Sequence, residues 1–106
     1  MLKPFFVWKD KKLISLSPTD VILLETVGNY TKIVLSNETY VMVHTSLSSA
    51  LKKLPSELFI RIHRSYAASI HFIDTIERDH LTIGKYSIPI ARQYYKTVLE
   101  QLNVIE

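Results

Sequence analysis

From Phe5 to His44 the chain alternates short β-branched and aromatic runs with polar breaks, at Phe5 to Trp8, Leu13 to Leu16, Val21 to Val27, Tyr30 to Leu35 and Tyr40 to His44. Runs of this kind, bounded by turn residues, predict consecutive antiparallel strands. The breaks are Asp10-Lys11-Lys12, Ser17-Pro18-Thr19-Asp20, Gly28-Asn29 and Ser36-Asn37-Glu38. Gly28-Asn29 suits a tight hairpin because both residues tolerate positive φ. At Ser46 the period changes: Leu47, Leu51 and Leu54 fall on one helical face, Thr45 or Ser46 can cap the start, and Pro55 forbids continuation. Strand patterns resume at Phe59 to Ile62, Phe72 to Glu77, Leu81 to Ile83 and Tyr86 to Ile90, with Gly84-Lys85 as a second hairpin turn. Tyr95, Val98, Leu99 and Leu102 then restore a helical period from about Arg92 to Leu102. The predicted fold is mainly β, built of small antiparallel sheets with two short helices.

A chain of 106 residues, 47% hydrophobic and 22% charged, suffices for one folded domain spanning 1–106, with no room for a separate sensor or catalytic domain. The absence of cysteine removes disulfides, thiolate zinc sites and cysteine nucleophiles together. No apolar run approaches the roughly 20 residues that cross a bilayer, and Met1-Leu2-Lys3-Pro4 lacks the apolar stretch of a signal peptide, so the expected location is cytoplasmic with no membrane partner. The net charge of +3 and pI near 9.2 tilt toward a polyanionic partner, but the basic residues are spread over both halves. Any affinity for nucleic acid must then come from local geometry.

Three segments offer such geometry. The densest is FIRIHRSYAASI, Phe59 to Ile70, where His63, Arg64 and Ser65 interrupt what otherwise reads as core strand. Arginine can meet a guanine edge with two parallel hydrogen bonds, while histidine, serine and tyrosine can hold phosphate oxygens. The structural alternative for Arg64 is an ion pair with Asp74 or Glu77. In the second segment, Asn29 sits at a turn tip and can pair with an adenine edge, Tyr30 can donate to a phosphate and Lys32 adds charge. Period-two alternation puts Tyr30 and Lys32 on one face and Thr31, Ile33 and Leu35 on the other. The same residues also describe a plain hairpin with a solvated tyrosine and lysine. In the third, Arg92 opens the last helix and Lys96 follows one turn later on the same face, a groove probe with a phosphate clamp or simply a solvated helix face.

Enzymatic readings find less support. His44, His63, His71 and His80 show no recognised metal-binding spacing, and neither a phosphate-cradling glycine loop nor a G-x-S-x-G elbow occurs. No catalytic residue, cofactor or metal is expected. A third class, a protein-interaction module, would use Tyr30, Tyr66, Tyr94 and Tyr95 as an aromatic contact surface.

Taken in order, Ile22 with Gly28-Asn29-Tyr30, then Phe59-x-Arg61-x-His63-Arg64-Ser65-Tyr66, then Ile88-Pro89-Ile90-x-Arg92-x-Tyr94, resemble the LytTR-type DNA-binding domain over nearly the whole chain. The resemblance implies an elongated assembly of small antiparallel sheets that serves bacterial response regulators as an output module. It also implies that loops, rather than a recognition helix, enter successive major grooves of double-stranded DNA. Groove contacts then fall at Asn29 or Tyr30, at Arg64 and at Arg92, and backbone contacts at Lys32, His63, Ser65 and Lys96. The implied partners are duplex DNA and an upstream receiver domain or a dimer partner, and a free-standing regulator is the other possibility. Ala67, Ala68 and Ser69 stand where the family usually has larger aliphatics and an asparagine, and Ala91 where it usually has a serine. These departures bear on hydrogen bonding and packing beneath the reading loops.

Overall fold

The computed structural model describes residues 2–106, leaving Met1 of the Met1-Leu2-Lys3-Pro4 segment outside. Strands β1 (Phe5–Lys9) and β2 (Lys12–Leu16) form a hairpin. A five-stranded antiparallel sheet follows, made of β3 (Val21–Val27), β4 (Tyr30–Leu35), β5 (Tyr40–Val43), β6 (Phe59–His63) and β7 (Tyr66–Ser69), in the order β5-β4-β3-β7-β6. Helix α1 (Leu47–Lys52) connects β5 to β6. A second, three-stranded sheet contains β8 (Thr75–Ile76), β9 (His80–Ile83) and β10 (Tyr86–Pro89), and helix α2 (Arg92–Glu100) closes the fold. The molecule is elongated, 48 × 32 × 25 Å.

Simple one-sided alternation fails in the large sheet because both of its faces are covered. On one face Val21, Leu24, Ile33, Leu35 and Ala67 pack with Val7 of the hairpin and Leu47 of α1. On the other, Ile22, Leu23, Val34, Ile60, Ile62 and Ala68 pack with Leu81, Ile83 and Ile88 of the small sheet and Val98 of α2. Val34 is therefore as buried as Ile33, although the two point opposite ways. A register irregularity between Val21 and Leu23 lets adjacent Ile22 and Leu23 join the same core. Burying each such aliphatic side chain contributes about 1.5–3 kcal/mol, offset by the entropy of ordering it.

Several element bounds differ from expectation. Tyr66–Ser69 is a strand, paired with both β3 and β6, although Ala67 and Ala68 carry little β-propensity. Their methyl groups, fully buried, fit the thin space between two cores where larger side chains would collide. The predicted strand from Phe72 to Glu77 shrinks to Thr75–Ile76, and residues Ile70–Phe72 form a 3-10 turn. Ser46 rather than Thr45 caps α1, its Oγ accepting the Ser49 N–H at 3.1 Å. In the β3–β4 turn only Gly28 has positive φ (58°), whereas Asp10 and Lys11 both do (52° and 65°), as a mirror-image hairpin turn requires.

Candidate functional site

The antiparallel order of the large sheet gathers several chain reversals at one end. There β3 turns into β4 through Gly28-Asn29, β6 turns into β7 through Arg64-Ser65, and β5 runs out into His44 and Thr45. The Thr26 N–H donates to the Ser65 carbonyl at 2.8 Å, tying the first two turns side by side. The third segment is tied to the large sheet by a backbone hydrogen bond: the Ala91 N–H donates to the Ile62 carbonyl at 2.9 Å, so Arg92 starts α2 beside the strand that leads to Arg64. Ala91 gives α2 no side-chain cap, the local loss that alanine in place of serine entails.

Asn29, Tyr30 and Arg64 line one open groove of about 510 Å³, together with His44, Ser48 and Arg61. Tyr30 stacks on His44 with ring centroids 4.8 Å apart. Arg64 and Arg92 are exposed. The ion pairs among the described residues join His80 to Glu77 and Asp79, and Lys85 to Glu38. Asp74 instead accepts the Gly84 N–H at 2.7 Å, so Arg64 takes neither of the carboxylate partners that offered a structural alternative.

The Arg64 turn is held from beneath. Arg61 donates through Nε to the His63 carbonyl at 2.8 Å, through Nη2 to the Arg64 carbonyl, and through Nη1 to Ser48 Oγ at 3.2 Å. His63 Nδ1 accepts the Ser65 N–H at 3.0 Å, leaving Nε2 as the ring's remaining polar atom. The His63 ring meets Tyr66 edge-on at 5.4 Å, and the Tyr66 hydroxyl donates to Glu25 Oε2 at 3.4 Å. Burial, and then the Glu25 carboxylate, hold the Tyr66 hydroxyl above its ordinary pKa, so it stays protonated as a donor. His63 and the backbone of Ser65 thus shape the turn as well as lying at it.

Two expected residues sit elsewhere. Lys32 holds its Nζ 4.5 Å from the centre of the Tyr40 ring, in a separate concavity shared with Glu25 and Tyr66. Lys96 is exposed on α2, one turn beyond Arg92. The proposed tyrosine surface does not form: Tyr66, Tyr94 and Tyr95 are partly buried against the second core, and only Tyr30 of the four is exposed. Arg61, His44 and Ser48 were not expected at the site. Arg61 stood in the Phe59-x-Arg61 motif without a role, because its acceptors are backbone carbonyls that no side-chain pattern marks. Among the described residues no three histidine, aspartate or glutamate side chains converge to hold a metal ion, and no helix is long and apolar enough to cross a membrane.

Residues 11–103 match the family described as LytTr DNA-binding domain. The Staphylococcus epidermidis sensory transduction protein LytR is 34% identical over 101 residues, covering 90% of this chain and 40% of that protein. The Bacillus cereus sensory transduction protein LytT is 28% identical over 101 residues, covering 90% and 41%. The heme-containing CO-sensing transcriptional regulator RcoM 1 of Paraburkholderia xenovorans is 24% identical over 106 residues, covering 93% and 39%. The chain thus spans about 40% of the length of these curated relatives. Among solved structures, the LytTr DNA-binding domain of a Bacillus cereus protein superposes with a TM-score of 0.81 at 21% identity, covering 95% of this chain and 97% of that one. The small sheets and two helices are those of that fold.

Proposed function

The chain belongs to the LytTR family of DNA-binding domains, and from that premise we propose that it binds double-stranded DNA sequence-specifically, with loops in the major groove, as the single-domain output module of a cytoplasmic transcription regulator. The observation that carries this reading is the gathering of three distant segments at one end of the large sheet, with Arg64 and Arg92 exposed and outside the ion pairs of the described residues. Arg64 and Arg92 read base edges, and Asn29 and Tyr30 probe the adjoining groove. Lys96 clamps a phosphate behind Arg92. His63 and Ser65 contact the backbone while bracing the turn, and Lys32 contributes from its place against Tyr40. In the longer relatives the remaining length leaves room for a sensing part, and we place an upstream receiver domain or dimer partner there for this protein. Pairing two modules on repeated half-sites then raises affinity through effective concentration.

The test is selection of a target from random duplexes, followed by competition binding. Arg92→Ala is expected to remove about 1–3 kcal/mol of discrimination for the selected target. Lys96→Ala should weaken selected and random duplexes alike and lower the salt slope by about 0.9. Equal losses on both duplexes for Arg92→Ala would sink the base-reading role, and no enriched motif would sink the function.

A further inference from the structure

On the flank formed by the hairpin, apolar side chains lie open to solvent. Trp8 is 69% exposed, Phe6 57%, Leu13 54% and Tyr40 53%. Trp8 and Leu13 are cross-strand partners, so they form one patch. Monomeric proteins scatter exposed apolar residues singly, and a contiguous patch with a tryptophan at its centre marks a contact surface. Between β1 and the edge of the large sheet runs a groove of about 470 Å³, lined by Phe5, Trp8, Met42, Val43, Lys53 and Leu54 among others. A second concavity continues it between Trp8, Lys9 and Tyr40 to Met42.

Two further features identify what fits. Among the described residues β5 hydrogen-bonds only to β4, and β1 only to β2, so each is an edge strand with an unpaired backbone edge, and both line the groove. Exposed edges are ordinarily defended by proline or by charge on the strand itself, and Tyr-Val-Met-Val of β5 has neither. The charges around the groove are of one sign: Lys9 and Lys53 line the two concavities and no aspartate or glutamate does. DNA does not suit this face, because its interfaces are polar and strongly basic, whereas here two lysines border an aromatic and aliphatic trough.

We propose that this groove receives an extended, acidic segment of a partner protein, added as a further strand on the free edge of β5. Its alternate apolar side chains seat between Phe5, Trp8 and Met42, and its carboxylates face Lys9 and Lys53. Main-chain hydrogen bonds supply affinity and the apolar seats and lysines supply selectivity, as in strand addition generally. The site lies outside the three proposed DNA-reading segments apart from Tyr30, which with His44 and Thr45 lines both grooves, and Trp8, Lys9 and Lys53 have no part in the reading proposed above.

The experiment selects random dodecapeptides displayed on phage against the intact chain, then maps the winners by amide chemical shifts. Enriched peptides should alternate apolar with acidic residues and shift Val41 to Val43 and the β1 amides. Lys9→Glu with Lys53→Glu should weaken them about tenfold, given two surface charge pairs, and a peptide with lysine in place of its acidic residues should bind the reversed protein better. Trp8→Ser, at an exposed position, should abolish binding with the fold intact by circular dichroism. Recovery of no peptide, of peptides without acidic bias, or of peptides that map elsewhere overturns the proposal. So does a random duplex shifting the same β1 and β5 amides, which would assign the face to DNA.

Discussion

Arg61 offers the sharpest test of how the Arg64 turn is built. Its guanidinium donates to the carbonyls of His63 and Arg64 and to Ser48 Oγ, and Arg61→Met keeps the aliphatic stem while deleting all three bonds. Hydrogen bonds from a charged donor contribute about 1.5–3 kcal/mol each when shielded. Arg61 is half-buried, so water replaces part of that. The larger consequence is entropic: if the turn contacts DNA as proposed, once unpinned it must be ordered on binding. Fixing one residue's backbone costs about 1–2 kcal/mol, which for Arg64 alone raises Kd for the selected duplex by about 5- to 30-fold. Fluorescence anisotropy with selected and random duplexes measures the loss, and backbone order parameters at Arg64 and Ser65 should fall from about 0.85 toward 0.6. Arg61→Lys should be intermediate, and Ser48→Ala, which removes only the 3.2 Å bond, nearly silent. If Arg61→Met leaves the order parameters unchanged and weakens both duplexes equally, Arg61 is a phosphate contact and the positioning role is wrong.

Leu81, fully buried at the centre of the second core, should cost about 2–5 kcal/mol on Leu81→Ala, read as a lower midpoint in urea with an unchanged slope; a loss below about 1 kcal/mol would mean that the two sheets do not share that core. His80 stands between Asp79 at 2.8 Å and Glu77 at 3.3 Å. The Asp79 hydrogen bond, with the Glu77 charge, raises its pKa above 6.5, so its stabilising effect is complete below about 6.5 and fades as pH rises through the raised value. The same bond lowers Asp79 below 3.8, so that contribution holds above about 3.8 and is lost as pH falls through the lowered value. Thermal melting from pH 6 upward should decline more steeply in the native chain than in His80→Gln, and parallel curves would remove His80 from the account.

The first five strands, both helix starts and the two glycine turns were legible in the sequence because their signals are local: alternation, a cap and a residue suited to positive φ. β7 was not, because its position is set by what lies above and below it. Ala67 and Ala68 read as weak strand formers until two cores are seen to meet across them. At the candidate site, Asn29, Tyr30 and Arg64 were singled out from side-chain chemistry, and the three line one groove. Lys32 turned out to be engaged with Tyr40, a pairing between strands that depends on register. Arg61 escaped notice because its partners are main-chain oxygens, which every residue carries alike.

The bond from the Ala91 amide to the Ile62 carbonyl fixes more than the start of a helix. Because Ile62 and Val98 sit in one core, the interval between the two arginine-bearing projections is dimensioned from the middle of the molecule, not from its tips. If those projections read bases as proposed, exchanging residues at the turns retunes which bases are preferred while the pitch between contacts stays constant. On that reading, such a domain drifts across promoters without losing its stride along the double helix.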